Sequence, residues 1–190
     1  MKAEWGPTYF NDTQLLTLSY VYQLPFGAGK RFGSSWNPVT KGVLGNWQLT
    51  GIYTAHSGFP MTIYATDLSG TYSFAPRANC TGPNTYTHGV GPGTTWFNTS
   101  VFAQPSAGTF GSCANGTVIG PGLNTWDFGI GKQFPITESK RLEFRAEFIN
   151  FMNHPIFNSP GLMTVGSTGF GEITSSQGER NIQFALKFYF

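Results

Sequence analysis

Charge is what this sequence has least of. Asp, Glu, Lys and Arg make up 11% of its 190 residues, where an ordinary soluble domain carries about 25%. The balance is only +2. With no basic run and no recognition-helix pattern, nucleic acid is not an expected partner. Long apolar runs are missing as well. No stretch approaches about 18 consecutive apolar residues, which excludes a membrane-crossing helix but leaves membrane-crossing strands open, because their signal per segment is weak. The opening Met1-Lys-Ala-Glu-Trp-Gly-Pro7 lacks the apolar core of a signal peptide. The chain is therefore expected to be soluble or to be cut from a longer exported precursor. Cysteine is nearly absent. Cys80 and Cys113 sit in sequence rich in Gly, Pro, Asn and Thr, without the partner ligands of a zinc site. A loop-to-loop disulfide is expected over two free thiols, and it implies an oxidising compartment.

Signatures of catalysis are also lacking. His56, His88 and His154 are far apart in sequence and form no HxxxH or HExxH pattern, so neither a metal nor a cofactor is expected. Ser57, Ser167 and Ser175 lack a nucleophile-elbow context. Gly91-Pro-Gly93 and Gly120-Pro-Gly122 read as turns, since no GxxxxGK[ST] is present. No catalytic residue is assigned, and an enzyme is not expected. Asn-x-Ser/Thr triplets at Asn11, Asn79, Asn98 and Asn115 are incidental outside a eukaryotic source.

What the chain does have is aromatic and turn-forming residues. Phe, Tyr and Trp make up 16% of it, and it holds 25 Gly and 12 Pro, a composition of strands joined by turns and long loops. The clearest strand is the last one. Ile182, Phe184, Leu186, Phe188 and Phe190 occupy every second position, with Asn181, Gln183, Ala185, Lys187 and Tyr189 between them. A period of two means one apolar and one wetter face, over about the ten residues a tilted strand needs to cross a bilayer.

Similar alternation predicts strands at 14–24, 45–56, 126–134 and 141–151, giving about five spans. Residues 61–66 alternate briefly and read as an extension beyond the membrane. Trp96–Phe102 reads as a short strand or ordered turn, and a helical turn is expected near Asn37-Pro38. The 141–151 strand sets Leu142, Phe144, Ala146 and Phe148 against Glu143, Arg145 and Glu147. With Lys187, these charges are expected to face an aqueous or plugged barrel lumen, paired with neighbouring strands or with lumen water, rather than to form a binding row. Trp47, Tyr20, Tyr22, Trp126 and Phe190 fit a lipid-facing surface with interfacial belts better than a sugar-binding platform. Connections alternate short (25–44), long (57–125), short (135–140) and long (153–180), as periplasmic turns and outer loops do. With the C-terminus periplasmic, both long regions and both cysteines fall outside. The expected fold is all-β, a single segment of antiparallel up-and-down strands of the outer-membrane barrel type.

In order, Trp5-Gly-Pro7, Leu18–Gly27, Trp47–Tyr53, Ser57–Pro60, Trp96-Phe-Asn98, Gly120–Gly122, Arg141–Pro155 and Ile182–Phe190 resemble the C-terminal end of TonB-dependent outer-membrane receptors. The similar group is Oar-like, with a carboxypeptidase-regulatory-like N-terminal domain. The resemblance implies substrate uptake through a barrel of about 22 strands, with lipid and the barrel-assembly machinery as partners. The closing series Ile182, Phe184, Leu186, Phe188 and Phe190 is similar to the signal that machinery reads. These 190 residues carry neither a plug nor a TonB box, and about five strands cannot close a barrel, which takes about eight. The remaining strands are expected from a longer chain or from other copies. Two alternatives stand beside transport: a structural protein assembling through strand edges into an oligomer or surface fibre, and a secreted carbohydrate-binding β-sandwich.

Overall fold

The computed structural model describes residues 5–190. The leader reading bears partly on residues 1–4, which lie outside the described residues. In chain order the elements are β1 (Leu15–Gln23), α1 (Pro38–Leu44), β2 (Trp47–His56), β3 (Pro60–Met61), β4 (Asn79–Cys80), β5 (Phe102–Ala103) and β6 (Val118–Ile119). There follow β7 (Leu123–Pro135), β8 (Arg141–Ile149), β9 (Ile156–Phe157), β10 (Ser176–Gln177) and β11 (Asn181–Tyr189). They group into two compact units.

One unit is the sheet expected from alternation: five antiparallel strands in the order β1-β2-β7-β8-β11. Register decides its faces. Phe128 pairs with Phe148, Ile130 with Ala146 and Phe134 with Leu142, while Ile182, Phe184, Leu186 and Phe188 pair with Phe148, Ala146, Phe144 and Leu142. All of these side chains share one face because directly opposed residues point the same way. The β11 side chains of this face stay exposed, with Phe184 at 71% and Leu186 at 68%, while those of β7 and β8 are partly buried and Ala146 is buried. Close packing closes the sheet around Gly51. A Cβ there would lie 2.4 Å from Tyr20 Oη, so Tyr20 covers the glycine and accepts a bond from Trp126 Nε1 at 3.2 Å. An aromatic ring over a strand glycine replaces the missing side chain.

Turns cap the sheet at both ends. Asn37 Oδ1 accepts from the Thr40 amide at 2.8 Å and Pro38 opens α1, an N-cap followed by a proline whose missing N–H costs the helix nothing. After β8, buried Asn150 takes a left-handed conformation, with φ 50°. Its amide donates to Asp127 Oδ1 at 2.8 Å, and its side chain bonds the backbone of His154 and Gly178. One side chain thus ties the exit of β8 to the approach of β11.

The other unit gathers residues 5–15, 56–123 and 155–177 of the described chain. The sequence expectation for 67–124 is irregular loop, and regular structure there is indeed sparse. The segment nonetheless has its own core of Ile63, Ala65, Ala78, Phe97, Phe102, Cys113 and Val118. Phe170, from the second long connection, meets Phe97 edge-on at 5.6 Å, so both loops share this core. Phe97 and Ile63 are fully buried, and side chains of this size contribute about 1.5–3 kcal/mol each on burial. The Cys80–Cys113 disulfide joins the core. Trp96–Phe102 resolves into a 3-10 turn at Thr99–Val101, capped by Asn98, leading into β5. Residues 61–66 do not extend β2. Pro60 and Met61 pair with Ile119 and Val118 instead, because Ser57-Gly-Phe-Pro60 interrupts the ladder and Pro has no N–H to continue it. The remaining sheets have two strands each. A β-sandwich therefore finds no second large sheet among the described residues.

Candidate functional site

The face opposite the apolar one holds the chemistry. On β8 it carries Arg141, Glu143, Arg145 and Glu147, which pair with Tyr189, Lys187, Ala185 and Gln183 of β11. On the β7 side the partners are Pro135, Gln133, Gly131 and Gly129. The two glycines leave room, and Thr50 of β2 sits where a side chain on Gly129 would go. Gln48 and Thr50 of β2, Gly129, Gly131 and Gln133 of β7, the charged residues of β8, and Lys30 line a cleft of about 520 Å³.

Among the described residues, the ion pairs of this face run along β8 itself, rather than to the neighbouring strands as expected, because Arg145 stands two residues from each glutamate on the same side of the strand. Arg145 Nη2 lies 2.7 Å from Glu147 Oε1, and its Nε lies 3.8 Å from Glu143 Oε1. Tyr189 Oη donates to Glu143 Oε2 at 3.2 Å. The Arg141 guanidinium sits 4.0 Å from the Tyr189 ring centre, and Lys187 Nζ sits 4.9 Å from it. Lys30 Nζ donates to Gln23 Oε1 at 2.9 Å. The Arg145 side chain is about half exposed, so each pair is worth no more than about 1 kcal/mol. The arrangement offers a wet surface of alternating sign, suited to polar solutes or to a polar plug.

One cation lies on the apolar face. Lys132 pairs with Phe144 and is 3% exposed. Its Nζ donates to Val43 O at 2.9 Å and Gly45 O at 2.5 Å, and it rests over the rings of Trp47 and Phe134. Carbonyls at a helix C-terminus are unpaired and carry partial negative charge, so they are a good seat for an ammonium. Strict alternation from Phe128 through Ile130 to Phe134 already places Lys132 on this side. That pattern was the available signal, yet the sequence reading did not single the residue out.

Among the described residues, the loop unit has a cleft of about 320 Å³ lined by Asp67, Ser69, Ser73, Arg77 and Phe110, among others. Hydrogen bonds from Ser69 hold the Asp67 carboxyl below its ordinary range. His56 Nδ1 lies 2.6 Å from Ser57 O, and His88 packs between Tyr86 and Trp96. His154 is tied through its backbone to Asn150. No group of three or more His, Cys, Asp or Glu among the described residues is placed to hold a metal.

Glu143, Arg145, Glu147 and Lys187 are brought together on one face, and Ile182, Phe184, Leu186 and Phe188 on the other. Phe190 stacks on Phe188 at 6.1 Å. A family model described as an outer membrane beta barrel domain matches residues 1–183. No curated protein and no solved structure matches the chain.

Proposed function

The chain belongs to the outer membrane beta barrel domain family, and from that premise we propose that it supplies wall strands and outer loops to a TonB-dependent transporter. The observation that carries this reading is the division of one sheet into an apolar face and a charged one. A lipid-facing wall requires the first, and a water-filled or plugged lumen tolerates the second. In this role Glu143, Arg145, Glu147 and Lys187 line the lumen, and the disulfide-closed loop unit meets solute outside the cell. The series Ile182 to Phe190 is read by the barrel-assembly machinery during insertion. The barrel-completing strands come from further chain or from other copies, since an open edge in lipid leaves backbone groups unpaired at several kcal/mol each.

Transport is tested in the native host by deleting the gene and measuring uptake of a solute panel with and without a protonophore. Loss of one energy-dependent uptake is expected. Unchanged uptake across the panel, from a strain whose outer membrane otherwise contains the protein, would refute the reading.

A second reading rests on a different observation. Among the described strands, β1 and β11 each pair on one side only, so copies could join edge to edge into an oligomer or surface fibre. Discrete rings or fibres purified without detergent would favour that structural role.

A further inference from the structure

The connection between β1 and β2 contains Lys30, Arg31 and Lys41 and no acidic residue. Its helix, α1, is held against the apolar side of the sheet. Val43 O accepts from Trp47 Nε1 and from Lys132 Nζ, each at 2.9 Å, and both side chains belong to that side. The helix buries none of its own residues. Val39, Val43 and Leu44 are 75%, 59% and 50% exposed. Val39 and Val43, at i and i+4, share one side of the helix, and Leu44 lies about 100° round from Val43. In the same connection, Phe26 stacks on Trp36 at 6.2 Å and Arg31 lies 5.4 Å from the Phe32 ring centre.

We propose that this connection is an interfacial foot on anionic glycerophospholipid. Val39, Val43 and Leu44 enter the boundary between headgroups and acyl chains, while Arg31 and Lys41 meet the phosphates. The occupant is lipid because the patch continues the sheet face that meets lipid in an outer-membrane barrel. It is anionic lipid because the connection carries Arg31 and Lys41 and no acidic residue, Lys30 being turned to Gln23 on the charged side, and short connections of such barrels lie at the periplasmic leaflet. Lys132, its charge occupied by the carbonyls of Val43 and Gly45, docks the foot to the wall. The inference is independent of what the barrel transports.

The test uses the full chain reconstituted into vesicles of phosphatidylcholine, alone or mixed with phosphatidylglycerol. Val39→Cys and Val43→Cys carry a polarity-sensitive fluorophore, attached with the Cys80–Cys113 disulfide closed. Thr137→Cys, in the β7–β8 turn, is the reference. Labels at 39 and 43 should be blue-shifted, quenched by brominated lipid and sheltered from iodide, unlike the label at 137. Brominated phosphatidylglycerol should quench them better than brominated phosphatidylcholine. Arg31→Gln and Lys41→Gln should each cut that preference about five-fold, the factor equivalent to the ~1 kcal/mol a basic residue gains near an anionic surface. Iodide access at 39 and 43 equal to that at 137 would overturn the proposal, as would an unchanged preference in the double variant. Shelter that grows with protein density rather than with lipid composition would assign the patch to a second copy and equally overturn it.

Discussion

At Gly51 a hydrogen atom does what no side chain can. The Tyr20 ring occupies the place of a Cβ, and its hydroxyl is already engaged with Trp126. Gly51→Ala must therefore push the ring away, at a cost of about 1–3 kcal/mol by overpacking. Gly131 is the contrast. The nearest atom to an added Cβ is 3.8 Å away, and alanine restrains the unfolded chain, so Gly131→Ala should be neutral or slightly stabilising. Denaturant midpoints of the two reconstituted variants check this, and equal effects would remove the account. Lys132 supports a second prediction. Lys132→Met keeps the apolar stem but strips the carbonyls of Val43 in α1 and of Gly45, which caps it, of a charged partner. It should lower stability by about 2 kcal/mol, in the range for hydrogen bonds to charged groups. It should also raise hydrogen exchange in residues 37–46 more than in β8. Uniform exchange changes would show that the lysine does not anchor the helix.

Single elements differ in how plainly the sequence announces them. β8 was legible because Leu142, Phe144, Ala146 and Phe148 alternate with charges, and only a strand separates such residues onto two faces. The α1 start was legible for a local reason too, since Asn37-Pro38 satisfies the first-turn amides within four residues of chain. The loop unit was not legible. Its core joins Ile63, Phe97, Val118 and Phe170 from two distant connections, and no short-range period marks residues that meet only in three dimensions. The Cys80–Cys113 bond spans 33 residues within it. Opening a loop of that size gives the unfolded segment entropy worth about 3–4 kcal/mol. The Cys80→Ser, Cys113→Ser double variant should thus be cut by protease within residues 56–123 while β7, β8 and β11 stay protected. Protease resistance equal to that of the parent would mean that the aromatic core alone holds the unit.

For the whole molecule, the question is how an open sheet with an exposed apolar face becomes a membrane protein. The C-terminal side chain is the sensitive point, because Phe190 is 93% exposed and touches Phe188. It contributes little to folded packing and stands at the end of the proposed assembly signal. Phe190→Ala should lower the amount assembled in the outer membrane without altering any ligand affinity of the protein that does assemble. Outer-membrane fractionation with quantitative blotting checks the amount, and unchanged assembly would argue against the signal.

By itself, the sequence determined which five segments form the large sheet and which side of each is apolar, because alternation is a property of neighbouring residues and needs no partner. It also marked Cys80 and Cys113 as disulfide candidates, although Cys80 stands in the two-residue strand β4, paired with Phe102, rather than in loop. Only the tertiary structure decided which strands pair, in what register, and hence that Glu143, Arg145, Glu147 and Lys187 stand together. Only it placed Lys132 under α1 and gathered two long loops around one core. Those facts depend on contacts between residues far apart in the chain, and they exist only once burial and hydrogen bonding have outweighed the entropy of bringing such residues together.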